Sequence, residues 1–332
     1  MDIQKELCEW FRENHRDLSF RKDKNPYSIW VSEIMAQQTR IDSMLPYYEK
    51  WIQDYPTIDA LALAPIEKVL KSWEGLGYYN RARKLHEGAK QVVQDYNGVL
   101  PDDYDELLKI SGIGPYTAGA IASIAYNKEV PAVDGNVLRV ISRLYELDDD
   151  IAKQKTIKKV REIVQDLMKG STPSDFTQGL MELGALVCMP QVILCNKCPL
   201  NQVCHAFNNH TQMNYPIKSK AKKSPEYSFK TLFVIKENQI LLSRDDTDGL
   251  MKDFYRLPQY ENFNTSGYTF MKQYKHIYSH KKWIMDVYEY ELGILPNDEY
   301  LVWKDLSDLE EIPIIGAHLK ILKDKKIIKQ YQ

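Results

Sequence analysis

Residues 107–136 read LLKISGIGPYTAGAIASIAYNKEVPAVDGN, and the organisation of the chain follows from them. Leu107, Leu108 and Ile110 lead into Gly112-Ile113-Gly114, after which small and apolar residues predict a helix from Tyr116 to Tyr126. Two glycines one residue apart permit positive φ and leave the backbone uncovered. N–H groups then face outward where the dipole of the second helix also favours an anion. A helical hairpin of this kind grips a phosphate without a lysine. Pro131 to Asn136 follow, and Val137, Val140, Ile141 and Leu144 mark one face of a helix that starts at Asp134. The grip thus lies one short helix from a lone carboxylate. A plainer reading, a glycine-capped hairpin with Asp134 as an ordinary N-cap, accounts for the same residues.

Working outward, LKSWEGLGYY at 70–79 nearly repeats LKISGIGPY at 108–116. It implies a second hairpin with Gly75 and Gly77 at the tip and an exposed pair, Tyr78-Tyr79. Upstream, Pro26 to Trp30 lead into one long helix carrying SEIMAQQTRIDSMLPYYEKW, with Ile34, Ile41, Leu45, Tyr48 and Ile52 as its apolar face. Glu33 lies near its start and shares a face with Gln37. Alone it reads as a solvated first-turn acid, but the donor-rich run Gln37-Gln38-Thr39-Arg40 follows. Ile3, Leu7, Trp10 and Phe11 stripe an N-terminal helix, with Cys8 as a plain buried thiol, and a polar connector runs from Arg16 to Arg21.

The length of 332 residues predicts two domains. With 44% hydrophobic and 27% charged residues and a net charge of −2, any basic surface must be local. Residues 1–20 are charged throughout and no apolar run of about 18 residues occurs, so a cytosolic protein is expected. Of five cysteines, four form the string C-x6-C-x2-C-x5-C at Cys188, Cys195, Cys198 and Cys204. In a cytosolic chain this clustering favours a metal site over disulfides. Zinc ribbons split their ligands into two CxxC pairs, and only one is present here. Four thiolates suit a [4Fe–4S] cluster, with zinc the alternative. YPIKSKAKKSPEY at 215–227 reads as an exposed linker. Beyond it, Phe229, Thr231, Phe233 and Ile235 alternate, as do Ile240 and Leu242, predicting two strands joined near Glu237-Asn238. Helices are expected at 305–310 and 315–327.

The strings L-x-x-I-x-G-I-G-x-Y-T-A with V-D-G-N, E-I-M-x-Q-Q-T-R at 33–40, and the cysteine spacing together resemble the helix–hairpin–helix DNA glycosylases. Among these the match is closest to the adenine DNA glycosylases of the MutY family. The resemblance spans nearly the whole chain. It implies a mainly α helix–hairpin–helix glycosylase domain at 1–215 with an iron–sulfur cluster loop at 188–204, a linker at 216–227, and an α+β Nudix-like domain for 8-oxoguanine recognition at 228–332. ILLSRDDTDGLMKDFYRLPQYE at 240–261 carries the last part, although the acid-rich magnesium-binding Nudix helix is absent. The implied activity is base excision repair: a monofunctional, monomeric, cytoplasmic and nucleoid-associated enzyme. It would flip adenine out of double-stranded DNA opposite 8-oxoguanine, or in A:G and A:C mispairs, and hydrolyse its glycosidic bond. No membrane role is implied.

Carried over residue by residue, the resemblance makes Glu33 the acid that protonates adenine, at N7 in this family, and Asp134 the countercharge to the sugar cation. Tyr116 lines the reaction site and Asn136 positions Asp134 or water. Gln38 falls to the minor groove, Thr39 and Arg40 beside it to DNA binding, and Gly112 and Gly114 to the phosphate grip. Leu76, Gly77 and Tyr78 fall to the second hairpin, with Tyr78 as the inserted wedge. Arg16, Arg21 and Gln178 fall to substrate recognition, together with Tyr278-Ser279-His280, where the family has a Phe-Ser-His loop that checks for 8-oxoguanine. The four clustered cysteines become cluster ligands. Ala36 stands in place of a usual Leu, Phe20 falls where R-D-L-P-W-R is common, Gln178 replaces a Glu of some members, and Tyr278 a Phe. The first three bear on the shape of the adenine pocket.

Rival readings are set apart by particular residues. In the endonuclease III branch, a bifunctional oxidised-pyrimidine glycosylase, a lysine stands at the Tyr116 position and forms a Schiff base; tyrosine cannot. A non-catalytic DNA-binding protein has no use for both Glu33 and Asp134. A nucleotide pyrophosphohydrolase needs the missing Nudix helix.

Overall fold

Asn25 accepts hydrogen bonds from the Tyr27 and Ser28 amides, and Pro26 takes the first helical position, so a helix must begin there. The computed structural model describes residues 2–220, 224–245, 252–278 and 281–328. Its helices are α1 (Ile3–Asn14), α2 (Pro26–Ala36), α3 (Ile41–Asp54), α4 (Ile58–Leu63), α5 (Ile66–Ser72), α6 (Asn80–Tyr96), α7 (Tyr104–Leu107), α8 (Pro115–Ala120), α9 (Gly135–Tyr145), α10 (Gln154–Met168), α11 (Pro173–Leu186), α12 (His205–Asn208) and α13 (Gly316–Asp324). Contacts divide the chain into two units, Met1–Ala62 with Glu87–Lys220, and Leu63–His86 with Ala221–Gln332. The Leu63–His86 hairpin therefore packs with the C-terminal residues, although the sequence reads as an unbroken domain over 1–215.

The first unit is helical. α2 is buried along nearly its whole length, from Tyr27 to Met35, and packs against α3 and α8. Leu7, Val137, Ile141, Val160, Val164, Phe176 and Leu183 bring α1, α9, α10 and α11 into one core. Each such side chain contributes roughly 1.5–3 kcal/mol by leaving water, and Cys8 is among them as a buried thiol.

The structure corrects the expected long helix. α2 ends at Ala36, Gln38 takes φ 56°, and α3 starts at Ile41. The polar Gln37–Arg40 run has no apolar face to bury and leaves the helical path. Met44, Tyr48 and Trp51, rather than Ile41, Leu45 and Ile52, form the buried face of α3. Glu33 accordingly lies two turns inside α2, not in its first turn. The expected Tyr116–Tyr126 helix begins at Pro115 and widens into a π-helical turn over Ile121–Ala125.

In the second unit, β1 (Glu226–Phe233), β2 (Ile235–Lys236), β3 (Gln239–Ser243), β4 (Gln259–Tyr260), β5 (Tyr268–Ile277), β6 (Lys282–Tyr290) and β7 (Leu301–Asp305) form two sheets. Their orders are β4-β1-β6-β5 and β2-β3-β7. β1 runs parallel to β6 and antiparallel to β4. The sequence joined Phe229 to Ile235 in one strand; instead β1 enters the first sheet and only β2 turns at Glu237-Asn238 onto β3. Thr231, Leu232, Phe233 and Val234 are all buried, so both faces of the chain are covered there and alternation misleads. β1 also starts inside the segment read as a linker. Among the described residues no helix is long and apolar enough to cross a membrane.

Candidate active site

Glu33 occupies the wall of a cleft of about 820 Å³ in the first unit, with Arg16, Phe20, Arg21, Ala36, Gln38, Thr39, Arg40, Tyr116, Asp134 and Asn136 also lining it. The buried α2 helix fixes the Glu33 backbone, and the Tyr116 hydroxyl, brought in by α8, donates to the Glu33 carboxylate. Burial pushes the Glu33 carboxyl up to about 7, the Tyr116 hydrogen bond pulls it part of the way back, and the nearby Asp134 charge raises it further. The acid therefore carries a proton over a useful fraction of time near neutrality. Burial and Glu33 hold the Tyr116 phenol well above its ordinary value, so it stays a neutral donor.

Asp134 caps α9: its Oδ1 accepts from Val137 N at 2.8 Å. The plain N-cap reading is thus correct, and it coexists with a place in the cleft. Oδ2 accepts from Asn136 Nδ2 at 2.8 Å. Arg139 then donates to Asn136 Oδ1 at 2.8 Å and to the Gly184 and Cys188 carbonyls, each at 2.8 Å. Burial raises the Asp134 carboxyl against these hydrogen bonds. Gly184 lets α11 approach closely, since a Cβ there would sit 2.5 Å from Asn136 Cβ.

Arg16 and Arg21 do line the cleft, but both are committed to Glu182, a buried carboxylate that the sequence reading did not single out. Burial pushes this carboxyl up, and the hydrogen bonds from Arg16 and Arg21 outweigh it and bring it down to about 2. Gln178 departs from expectation: it does not line the cleft and bonds back to Ser174. Met181, Glu182 and Ala185, further along the same helix, form that wall instead. An acid inside the otherwise apolar stretch MELGAL, at the end of its helix, was the available signal for Glu182.

In the first hairpin Gly112 takes φ 82°, which requires glycine, whereas Gly114 is extended and caps α8. In the second, Gly77 and Tyr78 take φ 68° and 50°, and Tyr78 is 43% exposed. The expected exposed pair is corrected: Tyr79 is buried, and so is Leu76. Arg81 donates to the Leu76 and Gly77 carbonyls at 3.2 and 3.1 Å and lies over the Tyr78 ring.

Cys188, Cys195, Cys198 and Cys204 line one small pocket with Val187, Ile193, Phe207 and Arg143. Arg143 is buried; it donates to Cys188 Sγ at 3.3 Å and to the Cys188, Met189 and Pro190 carbonyls. Among the described residues no three His, Cys, Asp or Glu side chains gather as ligands of one metal ion. The Tyr278 ring meets that of His276 at a tilt and that of Trp283 edge to face; Ser279 and His280 lie outside the described residues.

Glu33 and Asp134 thus share one cleft of the helical unit. Residues 31–166 match the HhH-GPD superfamily base excision DNA repair protein family. The adenine DNA glycosylase of Buchnera aphidicola (subsp. Acyrthosiphon pisum) is 30% identical over 337 residues, 96% of each chain. The adenine DNA glycosylase of Rattus norvegicus is 42% identical over 213 residues, 61% of this chain and 41% of the rat protein. A thermostable thymine-DNA glycosylase structure superposes with a TM-score of 0.56 at 27% identity, over 62% of this chain and 94% of that one. The chain belongs to the adenine DNA glycosylase family, and it matches about two fifths of the length of its rat relative.

Proposed function

We propose that the protein removes adenine from mispaired DNA, with A opposite 8-oxoguanine as the preferred substrate, by hydrolysing the N-glycosidic bond without cutting the strand. The observation that carries this is Glu33, a carboxyl pushed up to about 7 on the wall of a cleft that also holds Asp134. Adenine leaves as a neutral base only once protonated, and the sugar passes through an oxocarbenium-like state. Glu33 gives the proton, with Tyr116 orienting it. Asp134, held by Val137 and Asn136, faces the positive charge as it forms. Unit charges about 4 Å apart are worth roughly 4 kcal/mol at an effective dielectric near 20, which is about three decades of rate. Tyr116 in place of a lysine supports the monofunctional reading. Tyr78 serves as the wedge that unstacks the duplex, and Gly112 and Gly114 grip phosphate, so that the base reaches the cleft.

The four cysteines that line one pocket would hold a [4Fe–4S] cluster, a group that four thiolates suit. Bound there, the cluster would brace the 188–204 loop, with Arg143 holding Cys188. The C-terminal sheets serve opposite-base recognition, with Tyr278, Ser279 and His280 reading 8-oxoguanine. Single-turnover assays on A:8-oxoG, A:G, A:C and thymine-glycol duplexes test the whole reading. Free adenine should appear fastest from A:8-oxoG, strand breaks should appear only after alkali, and borohydride should trap no adduct. Thymine-glycol excision with efficient trapping would assign the protein to the lyase branch instead.

A further inference from the structure

The tip that carries Tyr78 is built onto the C-terminal residues. Tyr79, its neighbour in sequence, packs against Phe254 with ring centroids 4.2 Å apart and the planes tilted by 43°. Phe254 is 1% exposed, and Arg83 lies over its ring while pairing with Asp253 at 3.3 Å. Glu74, one residue before the first tip glycine, accepts from the Ile314 amide at 2.8 Å and from Lys71 at 3.0 Å. Lys71 also donates to the Leu309 and Ile312 carbonyls at 3.3 and 3.1 Å. Tyr255 bridges to Ile314, so both supports of the hairpin join one backbone seam. The tip itself is conformationally demanding: Gly75, Gly77 and Tyr78 all have positive φ, at 105°, 68° and 50°. A non-glycine residue such as Tyr78 holds that conformation only where its surroundings enforce it.

We propose that Phe254 and Glu74 are positioning residues for the Tyr78 wedge, so that the unit carrying the proposed 8-oxoguanine reader also carries the tool that opens the duplex. The inference rests on the reading of Tyr78 as a wedge. It follows that a defect in the C-terminal residues at Phe254 impairs extrusion of the base at every mispair, not only discrimination of the base opposite.

The test is stopped-flow fluorescence of the full chain mixed with an A:8-oxoG duplex and an A:G duplex, each with 2-aminopurine stacked beside the target adenine. Tyr78→Ala should reduce the fluorescence rise about tenfold on both, the scale of one lost stacking contact. Phe254→Ala should reproduce that loss on both duplexes while affinity for undamaged duplex stays within about threefold, because phosphate contacts dominate it. Phe254→Leu should recover part of the rise, Glu74→Gln should lower it, and the Tyr78→Ala/Phe254→Ala double variant should lose no more than Tyr78→Ala alone. If Phe254→Ala does not fold, Phe254→Leu and Glu74→Gln decide the matter alone. A full rise in Tyr78→Ala would remove the wedge reading and this inference with it. Loss in Tyr78→Ala with a full rise in the Phe254 and Glu74 variants, or additive losses in the double variant, would overturn the inference while leaving the wedge in place.

Discussion

Burial of Glu33 has a cost in stability that can be measured apart from its proposed chemistry. The unfolded chain ionises this carboxyl in the ordinary glutamate range, whereas the folded protein resists until about pH 7. The native state therefore loses stability as pH rises between those values, and the loss is complete above the folded value. Glu33→Gln keeps the shape and an acceptor for Tyr116 but has no charge to bury, so at about pH 8 it should melt later than wild type, by up to about 3 kcal/mol. Equal melting of the two proteins at that pH would mean that Glu33 ionises freely. Glu182 runs the other way. Its lowered carboxyl stabilises the fold above the ordinary glutamate range, and that contribution fades only as pH falls towards about 2. Glu182→Ala strands Arg16 and Arg21 and should cost about 3 kcal/mol or more in denaturant titrations; a change below about 0.5 kcal/mol, the range of an ordinary surface substitution, would contradict it. Glu33 and Asp134 were legible in the sequence because their motifs are local. Glu182 was not, because its partners Arg16 and Arg21 are over 160 residues away in the chain.

At the scale of elements, the cleft depends on how closely α11 approaches the start of α9. Gly184 is the contact point, and a Cβ at 2.5 Å from Asn136 must push the two helices apart. Gly184→Ala should destabilise by about 1–3 kcal/mol. It should also slow adenine excision by more than the melting loss explains, because Asn136 would shift from Asp134. Unchanged melting and unchanged single-turnover rate would show that the helices have slack there. The first hairpin, α7 to α8, was readable from Gly112-Ile113-Gly114 because a positive φ at Gly112 leaves few choices. The end of α2 was not readable: Gln37-Gln38-Thr39-Arg40 contains no proline or glycine, and a polar run of that length also suits an exposed turn of a continuous helix. β1 was misjoined for a related reason, since its partner β6 lies more than fifty residues away and no local pattern announces a parallel pairing.

At the scale of the molecule, the division into two units places Leu63–His86 with the C-terminal residues. A truncation at residue 228 removes Phe254 and Ile314 from the hairpin as well as the residues proposed for opposite-base recognition. Such a protein should lose excision on A:G as well as on A:8-oxoG. Retention of full A:G excision would contradict this. The cysteine pocket gives a second whole-chain expectation: protein purified without oxygen should carry about four irons per chain with a broad visible absorption band, and stoichiometric zinc without iron would contradict it. The most direct test of the central claim is the single-turnover rate of adenine release from an A:8-oxoG duplex as a function of pH, for wild type and Glu33→Gln. Wild type should be flat below about pH 7 and fall about tenfold per unit above it, tracking the Glu33 proton, and Glu33→Gln should release no adenine at any pH. A Glu33→Gln protein within about tenfold of wild type, or a wild-type rate that climbs above pH 7, would show that the proton comes from elsewhere.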